Sequence, residues 1–465
     1  MKLERTPTVT ALLTALLILT ATCADEDEPT APANTAPTAC FTASLDSGTP
    51  ETVFRFDASC SSDKEDATAY LEIRWDWEND GTWDTDWTTA MTATRQFTGA
   101  GRKTVRLEVR DTGGLTSRTT RHVEVPRPHP MVLVPAGTFT MGDGTADCGE
   151  DEHMVTLTHT FYIGRNEVTN QEYRDAVQWA YDQGYVTATP FSVRDNMVGS
   201  FAELVDLNAP DCNLSFEGGT FTVEPGKEDN PMIEVSWYGA ARYCDWFSMQ
   251  EHLPQTYPNT GDWACNGGDP YGAPGYRLPT DAEWEYAAQF DDERLYPWGD
   301  ESPDRSLASY DNSLEWPAPV GSYPAAPPAL GLHDMAGNVW EWCNDRHLCS
   351  LGTDPQTDPV GPSTEAHRVV RGGSWADDAS CLRCAHRSPR DPSYTSPSLG
   401  FRIAKSIYGR RSDLVFQGSR SPAVDRIGGR LLRQRPLRVV LRNAGMRVSG
   451  STEIQDSERS TDGSV

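Results

Sequence analysis

With 465 residues, 37% of them apolar, the chain has room for two or three domains and for a sizeable core; 38 Gly, 33 Pro and 14 Trp point to a loop-rich globular protein rather than one of long helices. A formal charge of −28 excludes a polyanion as the main partner, because nucleic acids and anionic lipid surfaces are held by basic footprints that displace counterions. Such acidity fits a protein that stays soluble outside the cytoplasm.

The first elements concern export. Lys2 and Arg5 precede an apolar run from Val9 to Thr22 that is short for a membrane span, and residues 1–23 read as a signal peptide. Cys23 follows at once, and residues 24–37, acidic and rich in Pro and Thr, form a disordered tether. Two readings stay open: a lipoprotein acylated on Cys23, held at the periplasmic or cell surface by that anchor, or a cleaved and secreted protein. Setting Cys23 aside leaves 10 of the 11 cysteines, an even number suited to disulfides in an oxidising compartment. Cys40 with Cys60 and Cys343 with Cys349 are the local pairs to expect.

Residues 38–125 alternate apolar and polar positions in short runs, as in Val53-Phe54-Arg55-Phe56 and Thr104 to Val109. Turn clusters at Asn79-Asp80-Gly81 and Thr112-Gly113-Gly114 separate them, at the spacing of an antiparallel sandwich. The stretches Phe56-Asp57-Ala58-Ser59, Arg74-Trp75-Asp76-Trp77 and Val109 to Gly114 resemble those of PKD domains, immunoglobulin-like all-β spacers of extracellular proteins. The acidic run Asp76, Glu78, Asp80, Asp84 and Asp86 lacks the EF-hand spacing and reads as a solvated loop.

A stiff Pro-rich hinge, Pro126 to Pro130, precedes the main domain, residues 131–405. Three short helices are expected there. One is capped by Thr169 with Glu172 closing a capping box and buries Tyr173, Ala176, Val177, Ala180 and Tyr181. The second starts at Ser236, with Trp237, Ala240, Ala241 and Cys244 on one face. The third opens at Thr280 with Glu283 three residues on. Residues 406–465 change character: counted from Lys405, 12 Lys and Arg stand against 6 Asp and Glu, without periodicity, as in a basic disordered tail.

Five ordered stretches of the main domain resemble the sulfatase-modifying-factor family, which includes the formylglycine-generating enzymes. They are Val134-Pro135-Ala136-Gly137-Thr138-Phe139-Thr140-Met141-Gly142; Asn230 to Trp237; Tyr276-Arg277-Leu278-Pro279-Thr280 on to Ala288; Gly331 to Trp342; and Val370-Arg371-Gly372-Gly373-Ser374-Trp375, closing with Gly400-Phe401-Arg402. The resemblance implies an α+β, C-type-lectin-like fold with little regular secondary structure. In such a fold side-chain bonds replace missing ladders, so Arg277, Glu283, Glu285, Arg371 and Arg402 are expected to satisfy loop backbone and one another.

It also implies a structural calcium ion held by the carboxylates of Asp334 and Glu341 and the carbonyls of Gly337 and Val339, oxygen ligands suited to a hard cation. In the formylglycine-generating enzymes two cysteines shortly after the Arg-Gly-Gly-Ser stretch bind copper(I) and oxidise a cysteine of a client polypeptide with O₂. Counting forward from Ser374, the first falls on Asp377, a hard carboxylate that suits copper(I) poorly. Counting back from Arg383-Cys384-Ala385, the segment is shortened and Cys381 takes the place of the second. Cys381, Cys384 and Ser374 are therefore the catalytic candidates, with the Cys-x-x-Cys pair able to hold soft metal or cycle as a dithiol. The nine histidines show no i, i+4 metal spacing, and no Ser-His-Asp pattern emerges. Two functions follow: an oxidoreductase-like modifier of an extracytoplasmic protein or peptide client, or a lectin-like domain that binds a peptide or a surface glycan without chemistry.

Overall fold

The computed structural model describes residues 33–145, 150–197, 201–257, 263–290 and 292–407. The apolar leader, Cys23 as the expected lipidation site, most of the tether and the Arg-rich tail lie outside the described residues.

The N-terminal region is a sandwich of two antiparallel three-stranded sheets. One joins Thr42–Ala43, Val53–Asp57 and Thr92–Gln96; the other joins Glu72–Asp76, Gly101–Arg110 and Thr116–Val125. Period-two alternation sends Phe54, Phe56, Trp75, Leu107 and Val109 inward, all at most 1% exposed, and Trp75 stacks on Trp77 with centroids 5.1 Å apart. Cys40 and Cys60 are disulfide-bonded. The acidic run is only partly solvated. Glu78, Asp80 and Asp86 are exposed, but Asp76 is buried, accepting the amides of Asp80 and Gly81 and pairing with Arg106 at 2.5 Å. Its carboxylate shapes the turn.

In the main domain the three helices form where their caps require. Helix α1, Asn170–Asp182, and helix α3, Asp281–Gln289, both open with complete capping boxes, Thr169 with Glu172 and Thr280 with Glu283. Helix α2, Trp237–Gln250, is capped by the Ser236 side chain, which accepts the amide of Gly239. Helices α1 and α2 share one core in which Tyr173, Tyr243, Trp246 and Phe401 meet edge-on or stacked. Fully burying one such side chain contributes roughly 1.5–3 kcal/mol. Tyr181, expected in the buried stripe, is only half-buried against Phe216 and Phe221.

Short sheets surround the helices. One orders Tyr276–Arg277, Ala404–Ser406, Phe161–Gly164 and Met131–Val134; another orders Arg387–Arg390, Arg368–Arg371, Trp340–Arg346 and Leu399–Gly400. Their brevity leaves many loop carbonyls and amides to be satisfied by side chains. Arg402 is fully buried; it chelates Glu341 (2.5 and 2.6 Å) and donates to the carbonyls of Gly164 and His333. Arg277 grips Glu283 at 2.6 and 2.8 Å, and Arg371 bridges Asp281 and Glu285. The expected pairing of Cys343 with Cys349 is corrected here. Cys343 is a free thiol in the core, and Cys349 is disulfide-bonded to a different cysteine. Proximity in sequence did not choose the partner, because Cys343 points inward from the strand Trp340–Arg346.

Candidate functional site

The site is built on Arg371, the last residue of the strand Arg368–Arg371. Beyond its two carboxylates its guanidinium donates to the carbonyls of Cys384 (3.1 Å) and Ala385 (2.9 Å), which ties the returning segment to α3. Gly373 follows with φ 70°, and a Cβ there would stand 2.9 Å from the Cys381 carbonyl oxygen, so only glycine lets the two chain passes meet. The turn at Gly337 interlocks with this one: its amide donates to the Gly372 carbonyl at 2.8 Å, and the Trp375 amide donates to the Asn338 carbonyl at 2.9 Å. The fourth and fifth of the five stretches thus form one platform.

On that platform Ser374 is fully buried, and its hydroxyl donates to the Asp377 carboxylate. Trp340 Nε1 donates to the same carboxylate oxygen at 2.8 Å, while the Asp377 carbonyl accepts the Asp311 amide at 2.7 Å. Asp377 is therefore fixed from both ends. Trp375, half-buried, stands 6.2 Å from the exposed Trp316, which gives the platform an aromatic edge.

The candidate cysteines part company. Cys384 is 1% exposed, in the core cluster with Phe139, Trp284 and Cys343, and burial pushes its thiol well above the ordinary range. Cys381 is partly exposed and packs against the core shared by α1 and α2. His386 Nδ1 lies 2.9 Å from Glu150 Oε1, with the indole of Trp340 5.7 Å away. Burial works against the imidazolium, but the hydrogen bonds to Cys381 and Glu150 outweigh it and carry His386 up to about 9. Burial likewise opposes the Glu150 charge, yet bonds from His386, Thr145 and Arg383 hold that carboxyl well below its usual range. His386 and Glu150 were missed in the sequence. They lie 236 positions apart, and no local pattern joins them.

These donors do not suit copper(I): a hydrogen-bonded hard carboxylate stands at one position, and one of the two thiols is sealed in the core.

The calcium candidates lie on the other side of the Gly337 turn. Asp334 accepts the Gly321 amide at 2.6 Å, while both Glu341 oxygens are taken by Arg402 and one of them also by Trp284 Nε1 at 2.8 Å. Glu167, not singled out in the sequence, joins them, fully buried and bonded by Asn338 Nδ2 at 2.8 Å. Burial, then Asp334 and Glu341, push its carboxyl well above the usual range. Among the described residues no three His, Cys, Asp or Glu side chains converge in metal-ligand geometry. Glu167, Asp334 and Glu341 thus share the single guanidinium of Arg402, and burial raises the Asp334 carboxyl as it does that of Glu167.

The family description "Sulfatase-modifying factor enzyme 1-like domain" matches residues 116–407, more than half of the chain. The chain belongs to the sulfatase-modifying-factor family. A PKD domain, matched over residues 34–125, precedes the family domain. Among curated relatives, the formylglycine-generating enzyme of Streptomyces coelicolor is 32% identical over 318 residues, 59% of this chain and 88% of that protein. The hercynine oxygenase of Mycolicibacterium smegmatis is 31% identical, over 59% of this chain and 61% of its own length. A protein named serine/threonine-protein kinase pkn1 from Chlamydia caviae is 33% identical over 60% of this chain, which spans only 38% of that relative's length. Among solved structures, Treponema denticola variable protein 1 is 25% identical with a TM-score of 0.43, covering 59% of this chain and 94% of its own. PvdO from Pseudomonas aeruginosa is 22% identical with a TM-score of 0.43, covering 60% and 94%. The two family matches and the observed sheets agree that a sulfatase-modifying-factor domain follows an all-β sandwich in this chain.

Proposed function

We propose that the protein is exported and that its sulfatase-modifying-factor domain engages an extracytoplasmic polypeptide at the Ser374–Asp377 platform, without copper-dependent oxidation of a client cysteine. The observation that carries this reading is Asp377, whose carboxylate stands where the oxidase chemistry needs a thiolate and is held by Ser374 and Trp340. The aromatic edge of Trp316 and Trp375 supports a contact role, because half-exposed tryptophans supply large contact area at low entropic cost. Relatives named for generating formylglycine, an amino-acid residue, favour polypeptide over glycan as the partner.

Incubation of copper(I)-loaded protein with a Cys-x-Pro-x-Arg peptide and O₂ tests the chemical half: the peptide mass stays unchanged, and an aldehyde product would return the protein to the oxidases. Peptide and glycan arrays probed with the same protein test the other half. Binding is expected on peptides and is lost in Trp375→Ala; signal confined to glycans sinks the polypeptide reading.

The proposal includes a structural calcium ion beside Asp334, with the Gly337 and Val339 carbonyls as further ligands and Glu341 contributing while still held by Arg402. Its support is the grouping of the buried carboxyls of Glu167, Asp334 and Glu341, whose ionised forms disfavour one another; a dication would relieve that repulsion and so stiffen the loop. Calorimetric titration of chelator-stripped protein shows Ca²⁺ uptake that Asp334→Ala abolishes; no uptake removes the ion.

A further inference from the structure

Among the described residues of the main domain, the buried arginines Arg242, Arg277, Arg371, Arg383, Arg387 and Arg402 each form an ion pair with a carboxylate. Arg368 is buried too, at 6% exposed, and forms none with a described residue. Its Nη1 donates to the Asn344 carbonyl at 2.5 Å, its guanidinium lies 3.6 Å from the centre of the Trp237 ring, and its Nε has no partner. Neither contact supplies a full counter-charge, and a cation taken out of water without one is costly. Asp345 acts on it from beyond ion-pair range, but Asp345 Oδ2 is taken by the Asp281 amide at 3.0 Å, and burial, then Asp281, carry that carboxyl up to about 7.

The sheet register adds two more cations. Arg368 stands opposite Arg346 on one side and opposite Arg390 on the other, so the strands Trp340–Arg346, Arg368–Arg371 and Arg387–Arg390 carry a row of three arginines on one face. Like charges directly opposite each other destabilise a sheet. Arg390 is half-buried; it donates to the Ser388 hydroxyl and the Pro389 carbonyl, both at 2.8 Å, and lies 5.9 Å from the ring of the exposed Tyr394. Arg346 donates to the Glu365 carbonyl. The exposed Asp391 keeps its carboxylate on the amide and hydroxyl of Ser393. Burial first and Arg346 second lower the Arg368 pKa to about 10, which leaves the guanidinium charged at neutral pH. In a chain of formal charge −28 this is a local concentration of the opposite sign.

We propose that the row Arg346, Arg368 and Arg390 binds a phosphate group, either as inorganic phosphate or as the monoester of a small molecule. A tetrahedral dianion offers oxygens in several directions, so guanidinium forks from three strands reach it together. A single carboxylate, with one charge and two oxygens in a plane, would leave the row over-charged. A long polyanion is opposed by the acidity of the rest of the chain, so the group is taken singly.

The inference does not rest on the Ser374–Asp377 platform, and its test needs no client. The full chain, in a chloride buffer near neutral pH, is titrated calorimetrically with sodium phosphate. One site per chain is expected, weakened about 10-fold or more in Arg390→Gln and in Arg346→Gln, as the loss of one charge-assisted hydrogen bond implies. Phosphate should also raise the melting temperature of the main domain. Phenyl phosphate separates the two sources: tighter binding than phosphate assigns the site to a monoester, weaker binding to the free ion. No phosphate uptake by the wild-type protein, equal affinity for acetate, or unchanged affinity in both variants overturns the proposal. Arg390→Gln loses hydrogen bonds only to Ser388 and Pro389 of its own strand, so the fold should survive it, and the wild-type titration decides even if a variant does not fold.

Discussion

The two regions of this molecule reach stability by opposite means. The PKD sandwich closes its backbone bonds in continuous ladders, ten paired residues between Gly101–Arg110 and Thr116–Val125, around a core of Phe and Trp. The sulfatase-modifying-factor domain has short strands and completes its loops with buried guanidinium–carboxylate pairs, among them Arg242 with Asp195 and Asp245, Arg277 with Glu283, Arg371 with Asp281 and Glu285, and Arg402 with Glu341. The contrast teaches that where ladders satisfy the backbone the buried carboxylates Asp76 and Glu108 pair with partly exposed arginines, whereas the irregular fold buries both partners of its ion pairs to satisfy its loops, and becomes vulnerable wherever one is lost.

Removing a buried cation is the strongest way to break that comparison. Arg371→Met leaves Asp281 without one of its two guanidinium partners and Glu285 without its guanidinium partner, and frees the Cys384 and Ala385 carbonyls; a loss of about 3–5 kcal/mol confined to the main domain is expected. Calorimetry should show one transition falling while the sandwich transition stays. Joint collapse of both would mean that the regions are not energetically separate. The converse change, Trp75→Ala, removes the stacked indole of the sandwich and should cost about 3–5 kcal/mol there alone.

Acid should divide the regions next. Burial raises the Glu283 carboxyl, but Arg277 and His159 outweigh it and bring it down to about 2. Because the folded value lies below the unfolded one near 4.5, the contribution is fully present above pH 4.5 and is lost as pH falls towards 2. This amounts to on the order of 3 kcal/mol. The main-domain melting temperature should fall through that window, and the fall should be shallower in Glu283→Gln; equal slopes would remove Glu283 as the cause. The smallest effect is local: Thr280→Ala removes the acceptor for the Glu283 amide and should cost about 1 kcal/mol by denaturant melting.

Much of this was legible in order. The alternation around Val53 and Thr104 gave strands, Thr169, Ser236 and Thr280 gave helix starts, and the Arg and Glu positions of the five stretches indicated buried pairs. Those signals are local, since caps and periodicity act over three or four residues. The carboxylate at Asp377 was equally readable by counting from Ser374. What could not be read were contacts closed by the fold: Glu150 against His386, Glu167 against Asp334, and a bridge for Cys349 that passes over Cys343.

The sequence by itself determined the two-domain order and the family, because each depends on residue identity at fixed spacing. Only the tertiary structure decided that Cys384 belongs to the core and Cys381 to the surface, although three positions separate them. A 3-10 turn at Ala379–Leu382, capped by Asp378, ends between the two, and Arg371 then draws the Cys384 carbonyl inward. Burial is set by what packs against a side chain, and for these thiols the clusters include strands and helices more than a hundred residues away in the chain.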